Sequence, residues 1–140
     1  MAVVVWITEG TWPACVDAAR AHAPAGADVV LLHVSDQDVP GVAHGAFVGL
    51  LGRGRAGHDP GASLEQQAGT SARHLLRAAA ERLGRKCTEV ERTGRVDHEV
   101  VAAAEGAELL ILARDGDRDH IGPRSLGPAG RFVVDHAPCP

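Results

Sequence analysis

Residues 108–140 read ELLILARDGDRDHIGPRSLGPAGRFVVDHAPCP. The segment opens on an apolar run, Leu109-Leu110-Ile111-Leu112-Ala113. A polar, glycine-bearing loop follows from Arg114 to Ser125, then Leu126-Gly127-Pro128-Ala129-Gly130, then a predicted helix from Arg131 to His136. A buried strand that runs through a glycine loop into a helix is the layout of an anion cradle. Glycine lets backbone N–H groups approach a phosphate, and a helix N-terminus adds unsatisfied donors and the positive end of a dipole.

The rest of the chain repeats the same alternation. Val3-Val4-Val5-Trp6-Ile7 is a short, β-branched apolar run, as expected of a strand buried on both faces. Thr8-Glu9-Gly10-Thr11 breaks it. Thr11 is placed to cap a helix with Pro13 in its first turn, and Pro24 and Gly26 end that helix. Asp28 to Val34 is a second buried strand, with Ser35 and Asp36 leading into a loop. Together these segments form a βαβ unit.

Residues 37–62 are rich in Gly and Pro and are expected to form a long mobile loop, with Ala46 to Leu51 as one or two helical turns within it. Ser63 and Gln66 have capping-box spacing at the head of a helix that runs to Leu83. Leu64, Ala68, Ala72, Leu75, Leu76, Ala79 and Leu83 give that helix one apolar face. Lys86 to Thr93 alternates weakly, as an edge strand does. Val96 to Glu105 reads as a short helix, and Gly106-Ala107 returns the chain to the strand at Leu109. The expected fold is therefore α/β, a doubly wound parallel sheet in a single domain spanning residues 1–140. In such sheets ligands bind outside the carboxyl ends of the strands. That points to Thr8–Thr11, Val34–Asp36 and Ala113–Gly130.

Composition narrows the function. The net charge of −4 argues against a nucleic-acid or anionic-membrane surface. Aromatic residues are 3% of the chain and Tyr is absent, which argues against base-stacking platforms. The N-terminal apolar run stops at Ile7, too short for a membrane span or a signal peptide. Cys15, Cys87 and Cys139 are odd in number and lack metal-type spacing, so a reducing cytoplasm is the expected setting. The eight histidines are scattered without ligand spacing, and no metal site is assigned. No serine lies in a G-x-S-x-G elbow, and no catalytic residue is assigned.

The sequence resembles the universal stress protein family along nearly its whole length. The resemblance rests on the opening strand, on Gly26 to Val34, on Gly94, on Gly106 to Leu112 and, most specifically, on Asp135-His136-Ala137-Pro138-Cys139-Pro140. It implies an adenine-nucleotide alpha hydrolase-like architecture with strand order 3-2-1-4-5. The sequence stops at Pro140, so order 3-2-1-4 is expected, without the usual fifth strand. It also implies a homodimer; the charge and the short apolar run, not the resemblance, give the expectation of no nucleic-acid and no membrane partner.

For one subgroup of the family the resemblance implies ATP or another adenine nucleotide, accompanied by Mg²⁺, bound through G-x2-G-x9-G-[S/T]. Carried over position by position, Thr8 stands where the first strand would end in Asp, with Glu9 beside it as a substitute. Val34 matches the backbone position that contacts adenine. Ala113 replaces the first motif glycine, with Arg114 next to it, and Gly116 is the second. Gly127 is the third, ten residues beyond Gly116 instead of nine. Pro128 replaces Ser/Thr and removes a backbone N–H, which leaves Ala129 and Gly130 as donors. The expected function is a non-enzymatic, stress-type regulatory domain with a degenerate adenine-nucleotide pocket, its phosphate side weakened or remodelled around Arg114, Arg118 and Arg124. The alternatives are a nucleotide-independent interaction module that dimerises through a sheet edge, and a nucleotide hydrolase of the same architecture.

Overall fold

The computed structural model describes residues 1–36, 60–114 and 126–140, with the side chains of 60–66 and 68 outside that description. Eight elements follow in order: β1 (Ala2–Trp6), α1 (Trp12–His22), β2 (Asp28–Asp36), α2 (Pro60–Leu83), β3 (Cys87–Gly94), α3 (Val96–Ala103), β4 (Leu109–Ile111) and α4 (Gly127–His136). The strands form one parallel sheet in the order β3-β2-β1-β4.

Strand pleat decides the two layers. Val3, Val5 and Ile7 point to one face with Val29 and Leu31, where α1 and α2 cover them. Val4 and Trp6 point to the other with Leu32, Val34 and Leu110, beneath Val100 of α3 and Val133 of α4. Period-two alternation puts successive side chains on opposite faces, and both faces are apolar here because both are covered. Full burial of each Val, Leu or Ile stabilises the fold by about 1.5–3 kcal/mol. Small residues such as Ala19 and Ala79, both fully buried, let α1 and α2 lie close to each other and to the sheet.

Several boundaries differ from the sequence expectation. Helix α2 starts at Pro60 instead of Ser63, so residues 60–62 belong to it. Proline is accepted in a helix's first turn, where its missing N–H has no intrahelical partner anyway. The remaining expectations for residues 37–59, including the turns at Ala46 to Leu51, lie outside the described residues. Strand β2 continues through Ser35 and Asp36 because β3 pairs with it as far as Gly94. Helix α3 stops at Ala103, and α4 starts four residues before Arg131, at Gly127. Thr11 holds the N-cap position of α1, but its side chain makes no capping bond.

Arg85 binds the amino end of the sheet together. Its guanidinium donates to the carbonyls of Pro24, Ala25 and Ala27, at 3.1, 2.9 and 2.9 Å, in the turn between α1 and β2. The Asp28 N–H donates to the Met1 carbonyl and the Glu108 N–H to the Ala2 carbonyl, so β2 and the approach to β4 enter in register with β1. Arg82 grips Asp17 through two bonds, of 2.9 and 2.8 Å, and ties α2 to α1. Among the described residues no helix is long and apolar enough to cross a membrane.

Candidate functional site

The carboxyl ends of β1, β2 and β4 share one edge of the sheet, because the three strands are adjacent and parallel. At the end of β1 the Thr8 carbonyl accepts the N–H groups of Thr11 and Trp12, which folds the chain sharply into α1. The Thr8 hydroxyl is hydrogen-bonded to the Thr11 hydroxyl. Thr8 is therefore committed to the turn, while Glu9 beside it is exposed. His33 joins this end as well. Its Nδ1–H donates to the Ile7 carbonyl at 2.8 Å and ties β2 to the end of β1. The sequence reading counted His33 only as one of eight scattered histidines. No spacing rule signals a bond made across two neighbouring strands.

Val34 is buried, and its backbone direction follows from the ladder. The Leu32 carbonyl accepts the Ile7 N–H at 2.7 Å, so the Leu32 backbone faces β1. In a strand the N–H and C=O of one residue point the same way, and alternate residues share that direction. Val34 thus presents its backbone donor and acceptor toward β1's side. The β1 ladder has already ended at Trp6, opposite Leu32. The polar groups of Val34 face the space above the end of β1.

The other side of the site is built by β4 and α4. Ala113 is half-buried against the α1/α2 face, and Arg114 is exposed. Gly116 lies outside the described residues, as do Arg118, Arg124 and the acids at 115, 117 and 119. Gly127 has φ +69°, the left-handed region that side chains avoid, so the glycine is required by backbone shape. Pro128 follows in the first turn of α4, as its fixed φ favours. Ala129 is partly buried against the apolar cluster on the α3/α4 face. Gly130 is buried, and a Cβ there would come within 3.2 Å of Leu126 Cβ and 3.9 Å of Leu112 Cδ1. That close approach holds the first turn of α4 against the end of β4. The turn carries no acidic residue and no side-chain cap. Its backbone N–H groups, less the one Pro128 lacks, keep their positive field uncompensated by any side chain of that turn.

The structure thus brings Thr8, Glu9, Val34, Ala113, Arg114, Gly127, Pro128 and Ala129 to the same edge of the sheet. At this edge Val34 offers backbone groups, and Pro128, which has no N–H, stands where the motif has Ser/Thr. Among the described residues no group of three or more His, Cys, Asp or Glu lies together in a metal-binding set. The thiols carry no sign of activation. Burial pushes Cys15 up to about 11 and also raises Cys139, and burial with the nearby Glu89 carboxylate raises Cys87.

No curated protein matches the chain. Solved structures do. The protein MJ0577 is similar over 99% of this chain and 91% of its own, with a TM-score of 0.66 and 17% identity. The universal stress protein UspA from Lactobacillus plantarum has a TM-score of 0.62 and 19% identity, over 99% and 93%. The protein PH0823 has a TM-score of 0.61 and 21% identity, over 99% and 90%. At these identities the likeness establishes the fold, the nucleotide alpha-hydrolase-like arrangement of a parallel sheet between helices. The model of the universal stress protein family matches residues 3–140, and with the sheet order and the Asp135 to Pro140 signature in place the chain belongs to the universal stress protein family.

Proposed function

We propose that this chain is a regulatory domain that binds an adenine nucleotide, ATP or a relative of it with Mg²⁺, at the carboxyl ends of β1, β2 and β4, and acts by binding rather than by turnover. The observation that carries this reading is the direction of the Val34 backbone, which faces the space where β1 has ended. Gly127, in its left-handed conformation before α4, supplies the matching turn on the phosphate side. Thr8, Ala113 and Pro128 remodel that side, with Ala129 and Gly130 as remaining backbone donors and Arg114 as the adjacent cation. Glu9 is the exposed carboxylate placed for a ribose hydroxyl. Three free cysteines suit a cytoplasmic setting, which cell fractionation checks.

Isothermal titration with ATP, ADP and AMP, with and without Mg²⁺, tests the reading. Binding tighter than about 1 mM, close to −4 kcal/mol, is expected. Affinity no better than that for all three sinks it. ATP turnover above a protein-free blank would replace binding with catalysis.

A second reading, an interaction module that works without nucleotide as a homodimer, is favoured by the position of β4. This three-residue strand ends the sheet order, and at its outer side the Leu110 N–H reaches the Pro140 carbonyl at 2.8 Å. Apart from that bond, no strand among the described residues pairs with the outer side of β4, and such an edge is a template for pairing. Sedimentation across a concentration series discriminates, since a species that stays monomeric at high concentration excludes it.

A further inference from the structure

Trp6 is the last residue of β1, and only 8% of its surface is exposed. It lies on the α3/α4 face, in one apolar cluster with Val34, Leu112 and Ala129. Those three belong to the end of β2, the end of β4 and the first turn of α4, the elements that border the candidate site. Among the described residues, Nε1 of Trp6 is a buried side-chain nitrogen without a hydrogen-bond acceptor. Tryptophan can only donate through this atom. Buried Trp usually finds an acceptor, and leaving such a donor unmade is unfavourable. A core position needing only bulk would be filled by Leu or Phe without that cost.

We propose that the indole N–H of Trp6 is a specificity-determining donor of this site, given to an acceptor atom of the bound nucleotide. The assignment rests on the nucleotide reading above. Among the described residues the donor has no acceptor. A ligand seated over the carboxyl ends of β1 and β2 brings acceptor-rich ring nitrogens and phosphate oxygens to the end of the strand that carries Trp6. A small rotation of the indole, or a shift of the side chains around it, then exchanges an unmade hydrogen bond for a made one. The site thereby favours ligands with an acceptor over apolar ligands of equal size.

The test removes the N–H and keeps the ring. Trp12 is first changed to Phe, so that Trp6 is the remaining tryptophan. Trp6 is then replaced biosynthetically by 3-benzothienylalanine, in which sulfur stands for the N–H. Titration with ATP and Mg²⁺ should show binding about tenfold weaker than in the Trp12→Phe parent, roughly the loss of one neutral hydrogen bond. The unliganded melting temperature should stay level or rise, since an unsatisfied buried donor has been deleted. A purely structural tryptophan would leave affinity unmoved. In ¹⁵N-indole spectra of the wild-type protein, the Trp6 cross-peak should shift on adding ATP and exchange more slowly. Equal affinity of parent and analogue, with an unmoved cross-peak, overturns the assignment and leaves the nucleotide reading standing. Absence of ATP binding by wild-type protein and parent alike overturns the nucleotide reading, and the assignment with it.

Discussion

The two ends of the sheet handle their polar groups in opposite ways. At the amino end, Arg85 covers three carbonyls, Met1 and Ala2 accept N–H groups from Asp28 and Glu108, and Arg82 and Asp17 bind each other through two bonds. At the carboxyl end, the Trp6 N–H has no acceptor among the described residues, Val34 turns its backbone beyond the end of β1, and α4 starts without a side-chain cap. The same apolar core supports both. The amino end closes the fold on itself, whereas the carboxyl end also holds donors and acceptors that have no partner among the described residues. Stability and binding should therefore separate along the strand axis.

The sharpest way to break that separation is to injure the core between the ends. Leu31 is fully buried at the centre of β2. Leu31→Ala should cost about 2–5 kcal/mol in urea unfolding. Its nucleotide affinity, measured where the variant is still folded, should change little, since Leu31 reaches neither end. A variant as stable as wild type would mean that the core is not packed as described.

Arg85→Met tests the amino end alone. It removes a charged donor from three carbonyls and should lower stability by about 1.5–3 kcal/mol, while ATP affinity stays the same. Lost affinity with unchanged stability would invert the comparison. Gly127→Ala tests the carboxyl end. Forcing a side chain into φ +69° should cost about 1–2 kcal/mol in the same unfolding measurement, and calorimetry should also find weaker ATP binding. Pro128→Ser restores a backbone N–H and a hydroxyl. It should tighten ATP binding about three- to tenfold with little change in melting temperature, the gain expected from one added hydrogen bond.

An effect confined to alkaline solution is a pH dependence from Cys15 in α1. Burial raises its thiol from 9.0 to about 11, so the folded state holds its proton where the unfolded chain releases it. The unfolded state then binds fewer protons, and stability falls as pH rises. The contribution is complete below pH 9 and is lost between pH 9 and pH 11. Urea midpoints for wild type should decline across that window more steeply than those of Cys15→Ala. Equal slopes would show that the thiol is not buried.

Much of the fold was legible because its signals are local and periodic. Val3 to Ile7 and Val29 to Leu32 are apolar without interruption, which suits strands covered on both faces. The Ala72, Leu76, Ala79 and Leu83 spacing marked the buried face of α2. Boundaries were less legible where a partner sets them. Ser35 and Asp36 read as loop residues, yet they are strand because Thr93 and Gly94 lie opposite. The substituted motif positions were visible too, since Ala113 and Pro128 are departures from a pattern. The state of Thr8 was not, because its bond to Thr11 depends on how tightly the β1–α1 turn closes.

By itself the sequence determined the alternation of strands and helices, the family, and the chemical defect that Pro128 introduces at the head of α4. These follow from residue type and spacing, which act within a few residues of the chain. Only the tertiary structure decided that Arg85 holds the α1–β2 turn, that His33 ties β2 to Ile7, and that the Trp6 N–H finds no acceptor among the described residues. Each of those depends on atoms far apart in sequence that meet only when parallel strands are set in register and the helices close over them. The stretch from Glu108 to Pro140 shows both sides of this. Its apolar run and glycines announce a strand, a loop and a helix, but the left-handed Gly127 and the close seat of Gly130 on Leu126 and Leu112 emerge only once α4 is laid on the end of β4.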